Sequence, residues 1–239
     1  MTEQGARLPE DVWAVVKDRR RLDVLSAFEG HEGEEDEDFD RLSRSAARIF
    51  KTEFALVSLV GEAHQSFRAR FGWGETTGTS TEISFCAHTI ALAGDDPMVV
   101  LDARQDDRFR DNSLVTAAPF IRFYAGAPIM VEGQKIGSLC VLSQSPRDSV
   151  DPEMLAQLSD LAGIASALFV LKDQAKVRAR TAAALLREEW RHALTLEAGK
   201  VGSWVWDIRT GEIVVNATET AISLADGTSL TFDAVIAGV

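Results

Sequence analysis

The chain has 239 residues, 46% hydrophobic and 26% charged, enough apolar content for a buried core in one large domain or in one ordinary domain with flanking elements. Its net charge of −12 at pH 7 repels a phosphate backbone and argues against nucleic acid as a direct partner. No uninterrupted run of the ~18 apolar residues of a membrane helix occurs and the N-terminus lacks a signal-peptide stretch, so a cytoplasmic setting with no membrane is expected.

Pro9, Glu10 and Asp11 open a predicted helix that runs to about Phe28, with Val12, Val15, Val16, Leu22 and Leu25 as its apolar stripe. An acidic run from Glu29 to Asp40 follows. Its spacing is not that of a calcium loop, and it reads as a solvated loop whose last acids suit the positive end of the next helix. That helix carries Phe39, Leu42, Ala46, Ile49 and Phe50 on one face. From Phe54 the period changes to two. Residues 54–60 form an apolar strand, and residues 66–71 alternate as a half-buried partner, giving a hairpin. A Gly- and Thr-rich loop ends at Ser84, which can cap a helix over residues 85–93. Residues 98–101 form a short strand, residues 104–119 a polar crossover, and residues 123–130 and 135–142 a second hairpin about Glu132-Gly133. The order predicts an α+β fold, an antiparallel sheet with helices on one face and loops enclosing a pocket on the other.

Beyond Asp151-Pro152-Glu153 the chain can stay helical to about Leu196. Leu158, Leu161, Ala165, Leu168, Ala175, Ala179, Ala182, Leu186, Ala193 and Leu196 keep a 3/4 spacing interrupted by Lys172 and Glu189. The first half suits packing on the sheet. Past about Val170, where Leu171, Leu185 and Leu186 also fall, a partner helix is the expected cover, which predicts a parallel homodimer.

Four motifs stand in order between Ser84 and Leu142: S-F-C-A-H-T-I, L-D-A-R-Q-D-D-R-F-R-D-N, I-R-F-Y-A-G-A-P-I and G-Q-K-I-G-S-L-C-V-L. In order and separation they resemble the GAF sensory domain over residues 21–170. The resemblance implies a regulatory input module with a long C-terminal signalling helix, no catalytic residues of its own, a possible small-molecule ligand of unknown identity, no known cofactor, and an output domain in cis. Histidine kinases and cyclic-dinucleotide enzymes are the outputs it suggests. Residues 1–20 then form an N-terminal helical extension, residues 171–196 a connecting coiled-coil-like helix, and residues 197–239 resemble the opening of a PAS domain. There, G-S-W-V-W-D leads to a T-G turn, and Phe232-Asp-Ala-Val-Ile resembles the segment before a missing His-Pro, so the chain looks cut short.

The capped helix and central strand flank a GAF cavity in this family, which makes Phe85, Cys86, His88, Tyr124, Ser138 and Cys140 the candidate pocket. Cys86, at a helix start and two residues from His88, suits a catalytic pair, a bilin attachment site, a redox switch, or simply a small buried side chain. Bilin-binding relatives place histidine directly after the cysteine; here Ala87 intervenes. Free methionine sulfoxide reductases of this fold arrange more cysteines differently, and the Asn-Lys-Phe-Asp-Glu motif of cyclic-nucleotide-binding relatives is absent. A small thiol-dependent redox enzyme and a purely architectural dimer module remain as alternatives. Strand alternation puts Ile136, Ser138, Cys140 and Leu142 on one face, and a Cys86–Cys140 disulfide is conceivable, although composition and compartment favour reduced thiols. No zinc spacing is present and no metal is expected. Asp102 and Arg108, in the crossover, suit structural bracing. Phe123 and Tyr124 point to opposite faces of their strand. Arg122 is the nearby cation for an anionic ligand. His192 lacks the surroundings of a phospho-acceptor, and His31 and His64 have no evident partner.

Overall fold

The computed structural model describes residues 8–29, 36–199, 203–206, 213–216, 221–223 and 229–231. Two short helices come first, α1 (Glu10–Val16) and α2 (Arg19–Ser26), where the sequence predicts one. No proline or glycine marks the break. Asp18 makes it, because its carboxylate accepts from the Arg21 amide at 2.9 Å and caps α2. Arg21 is itself buried and donates to the carbonyls of Val15, Val16 and Val60, which ties both helices to the sheet. Helix α3 (Glu37–Phe50) starts from the capping residue Asp36.

The sheet comprises β1 (Phe54–Val60), β2 (His64–Phe71), β3 (Gly78–Ser80), β4 (Met98–Val100), β5 (Phe123–Val131) and β6 (Gln134–Ser143). Its order is β3-β2-β1-β6-β5-β4, antiparallel throughout. Between β3 and β4 lies α4 (Phe85–Ala91), and the crossover after β4 contains the helical turn α5 (Ser113–Thr116). The β5–β6 hairpin turns at Glu132-Gly133, both with positive φ (50° and 73°), as a tight two-residue turn requires.

Each face of the sheet carries its own core. Ala55, Val57, Leu59, Phe123, Ala125, Ala127, Leu139 and Val141 meet α2, α3 and the first part of α6 (Pro152–Gly199). Leu56, Val60, Phe67, Tyr124, Cys140 and Leu142 meet α1, α4 and the crossover. The second face is therefore covered by helices as well as loops, with Leu8, Val12 and Val16 buried there in what the sequence suggests is an extension. Two bulges alter the simple alternation. One, between Val57 and Ser58 opposite β2, leaves Phe67 and Ala69 on opposite faces although two residues apart. The other, in the β5–β6 pairing, moves Ile136 into the helix-side core, away from Ser138 and Cys140, which corrects the four-residue face expected from period two.

Along α6, Leu158, Ala162, Ala165 and Phe169 are buried against the sheet of their own chain, and Leu161 and Leu168 pack half-buried beside them. These positions of the expected dimer seam are therefore already covered. Lys172 also belongs to this body: its ammonium lies 2.8 Å from Asp38 and 3.1 Å from Asp36 at the start of α3. Beyond it, residues 174–188 are exposed, Ala175, Ala182 and Leu186 included. By length and composition alone α6 is apolar enough to cross a membrane, which a search for uninterrupted apolar runs does not reveal, yet its most apolar stretch is the part packed on the sheet.

The chain divides into residues 1–174 and 175–239. In the second unit Ser203–Trp206 pairs with Ile213–Asn216, and Ala221–Ser223 with Ser229–Thr231, both antiparallel. The Thr210-Gly211 turn, residues 232–236, His31 and the side chains of His192, Ala193 and Leu196 lie outside the described residues.

Candidate functional site

The α4 side of the sheet gathers the polar residues of the candidate pocket. Ser84 caps α4, accepting from the Ala87 amide at 3.0 Å, and donates to Gln65 Oε1; Gln65 Nε2 in turn donates to Cys86 Sγ at 3.4 Å. This orders the first turn of α4 so that Cys86 faces β6. Its Sγ lies 3.7 Å from Cys140 Sγ, and both thiols are free and buried. Tyr124 projects from β5 into the same space, donates to Cys86 Sγ at 3.5 Å and shares a 2.7 Å hydrogen bond with Thr89. Gly126 leaves room for that ring, since a Cβ there would collide with the Tyr124 phenol.

Phe85, Cys86, Tyr124 and Cys140 line a cavity of about 20 Å3 with Gln65, Phe67 and Trp73 among others, space for a single water. Aromatic stacking closes the rest. Phe85 lies over Phe109 at 4.0 Å and beside Tyr124 at 5.2 Å, and His88 meets Phe109 edge-on at 4.8 Å. His88 and Ser138 are buried nearby but do not form the cavity wall. Ser138 Oγ has no partner of hydrogen-bonding geometry, the one such buried side-chain atom among the described residues. His88 is 4.8 Å from Phe109 rather than against Cys86, so the two do not form the nucleophile–base contact that covalent catalysis needs.

Burial shifts the titrating groups here. It pushes the Cys86 thiol up, but the adjoining Cys140 and the Tyr124 hydroxyl work against it and bring Cys86 below its ordinary value. Cys140 and Tyr124 rise well above their ordinary values, burial being the main cause. Burial, helped by the Arg108 charge, lowers His88 to about 4, so its ring is neutral.

In the crossover, Asp102 accepts from Arg122 Nε and Nη2, both at 2.7 Å, and from Gln105 at 3.0 Å. The Arg122 bonds are the main reason its carboxyl falls to about 2. Arg122 is thus engaged by Asp102 in its own loop. Arg108 pairs with Asp106 at 2.6 Å, not with Asp102, and its guanidinium lies 5.0 Å from the Phe109 ring centroid. Gln65 and Thr89 escape sequence reading, as does the pairing of Asp102 with Arg122. Their partners are 19 to 35 residues away in the chain, beyond any local pattern. A second, shallower groove of about 290 Å3 lies between α3 and the end of β2, lined by Arg44, Arg68, Arg70, Phe71 and Trp73 among others. Among the described residues, no group of three or more His, Cys, Asp or Glu is placed to hold a metal.

A six-stranded antiparallel sheet, one face under α3 and a long terminal helix and the other under a short capped helix and a braced crossover, defines a sensory α+β module of signal-transduction proteins. The chain belongs to the GAF domain family, which it matches over residues 34–166. It is 40% identical over 133 residues to a cyclic di-GMP phosphodiesterase of Pseudomonas aeruginosa, a match covering 55% of this chain and 22% of that protein. The chain therefore spans about a fifth of the length of that curated relative. Among solved structures it resembles the blue-light absorbing form of the PixJ GAF domain of Thermosynechococcus elongatus, with TM-score 0.49, 15% identity, and 68% and 96% of the two chains covered. A free methionine-R-sulfoxide reductase of Neisseria meningitidis gives TM-score 0.48 at 18% identity, covering 73% and 99%.

Proposed function

We propose that this chain is the input module of a bacterial signalling protein, reading a small ligand or a redox state on the α4 side of the sheet and passing it through a dimeric α6 to an output domain in cis. The observation that carries this reading is α6 itself. It is seated on the sheet from Leu158 to Lys172 and then continues as a helix with Val177, Leu185 and Leu186 exposed. A helix that only completed a core would have no reason to extend this apolar surface. The cyclic di-GMP relative favours a cyclic-dinucleotide output over a histidine kinase. In this reading residues 21–170 act as the sensor, the 1–20 extension packs into its second core through Leu8, Val12 and Val16, 171–196 is the connector and 197–239 the opening of a PAS domain. The paired strands Ser203–Trp206 and Ile213–Asn216 support the last assignment, because they flank the expected turn. The module itself is non-catalytic and cytoplasmic in this reading.

A cavity of about 20 Å3 favours a second reading, an architectural dimer module whose pocket is filled by its own side chains. Native mass spectrometry of protein purified from its own host separates the two. The sensory reading expects a retained small molecule, or a redox change, that alters hydrogen exchange along α6. A chain without adduct in which neither metabolites nor oxidants move α6 exchange would establish the architectural one.

A further inference from the structure

The pairing of Cys86 with Cys140 is the sharpest chemical feature outside the packing. Two sulfurs 3.7 Å apart on different elements, α4 and β6, are at contact distance and need only close to the ~2.05 Å of a disulfide. Both are free in this structure. Gln65 Nε2 and Tyr124 OH both donate to Cys86 Sγ, whereas burial dominates at Cys140, so the two thiols are inequivalent. The small cavity touches both sulfurs, and its other walls include the half-buried Trp73, Thr79 and Leu114. Its size admits a molecule near that of water and excludes larger reagents.

We infer that Cys86 and Cys140 form a peroxide-reactive dithiol site, with Cys86 as the attacking sulfur and Cys140 as the resolving one. The Cys86 thiolate attacks one oxygen of hydrogen peroxide, the O–O bond breaks, and the departing hydroxide takes up a proton to leave as water, giving a sulfenic acid. Cys140 then attacks the Cys86 sulfur, its proton leaving with the hydroxyl as a second water. The products are one intrachain disulfide and two waters, the peroxide being reduced as two thiols are oxidised. Once the chain is unfolded, a small thiol reductant restores the pair by exchange. Donors to the Cys86 sulfur favour its thiolate, the reactive form, while buried Cys140 stays protonated until the sulfenic acid is beside it. This site deepens the redox arm of the proposed function, but its thiol chemistry is tested on its own and holds whether or not α6 responds.

Brief exposure of the folded chain to hydrogen peroxide, followed by denaturation and thiol counting with intact mass, tests the inference. The expected result is loss of both thiols, a mass lower by two hydrogen atoms, no intermolecular species on a non-reducing gel, and recovery with reductant. Cys140→Ser should instead accumulate a sulfenic acid that dimedone traps at Cys86, and Cys86→Ser should keep its remaining thiol. Iodoacetamide, too large for the cavity, should label the native chain far more slowly than the unfolded one. Two thiols persisting in the folded wild type under peroxide that oxidises the unfolded chain would overturn the site, as would disulfides found only between chains. Equal oxidation of both single variants would overturn the assigned roles. The wild-type mass measurement stands alone if either variant fails to fold.

Discussion

His88 is buried against Phe109 with its pKa lowered to about 4 from 6.5, so it resists protonation in the folded state. Above pH 6.5 both folded and unfolded chains carry a neutral ring and the residue adds no pH dependence. Between 6.5 and 4 the unfolded chain binds a proton that the folded one does not, so stability falls as pH falls, by up to about 3 kcal/mol in all. His88→Gln should therefore flatten the loss of urea stability between pH 6.5 and 4 while leaving neutral-pH stability lower only by the lost ring packing. An unchanged slope would mean that other groups dominate it. Gly137 makes the complementary steric case. Its Cα passes so close to the Ser58 carbonyl on β1 that a side chain would strike backbone, which cannot rotate aside. Gly137→Ala is expected to destabilise by ~1–3 kcal/mol in chemical denaturation, as overpacking does.

At the scale of elements, Asp36 joins three of them. Its carboxylate caps α3 through the Asp38 amide at 3.2 Å, meets Arg68 of β2 at 3.1 Å and lies 3.1 Å from Lys172 of α6, with its side chain only 9% exposed. Asp36→Ala removes a cap and takes one partner from half-buried Arg68, and should cost about 1–3 kcal/mol. Lys172→Ala removes only half-exposed pairs, worth ~1 kcal/mol at most, yet should raise hydrogen exchange in the turns of α6 near residue 172. If the two variants lose equal stability, Asp36 is not the hub. The sequence announces Asp36 only as one member of the Glu29–Asp40 acidic run, which reads as solvated, because its two cations lie 32 and 136 residues away. Period and turn chemistry do make the elements themselves legible: the switch at Phe54, the Glu132-Gly133 hairpin, the Ser84 cap and the opposite faces of Phe123 and Tyr124 all follow from local residues. The split of the first helix and the transfer of Ile136 between faces do not, since a capping aspartate in a helical context and a one-residue bulge leave the hydrophobic pattern almost intact. Four of six candidate pocket residues were traceable to one small cavity wall through the family's motif order, but the aromatic stacking that narrows it depends on rotamers.

For the whole molecule, the proposed dimer rests on the exposed apolar positions of α6. Leu171, Val177, Leu185 and Leu186 are 52% to 63% exposed in the single chain, whereas Leu158 and Ala165 are fully buried at home. A helix pair therefore cannot use Leu158 or Ala165 and would form on the exposed apolar positions, Ile164 and Leu171 before Lys172 and Val177, Leu185 and Leu186 beyond it. Each leucine covered there contributes roughly 1.5–3 kcal/mol, and the small Ala175, Ala179 and Ala182 let two helices approach closely without adding much area. Association costs several kcal/mol or more, so a few leucines leave a modest surplus, and the proposed dimer should be a reversible one. That suits a connector whose two helices change register when the sensor changes. Leu185→Asp with Leu186→Asp places like charges where the seam must close and should yield a monomer by light scattering, with far-UV circular dichroism of the sheet domain unchanged. Leu168→Asp behaves differently, because Leu168 packs half-buried against the chain's own core, and should lower thermal stability before it touches assembly. A wild-type chain that scatters as a monomer, or a double variant that stays dimeric, would place the dimer contact elsewhere and leave the exposed stripe of α6 for another partner.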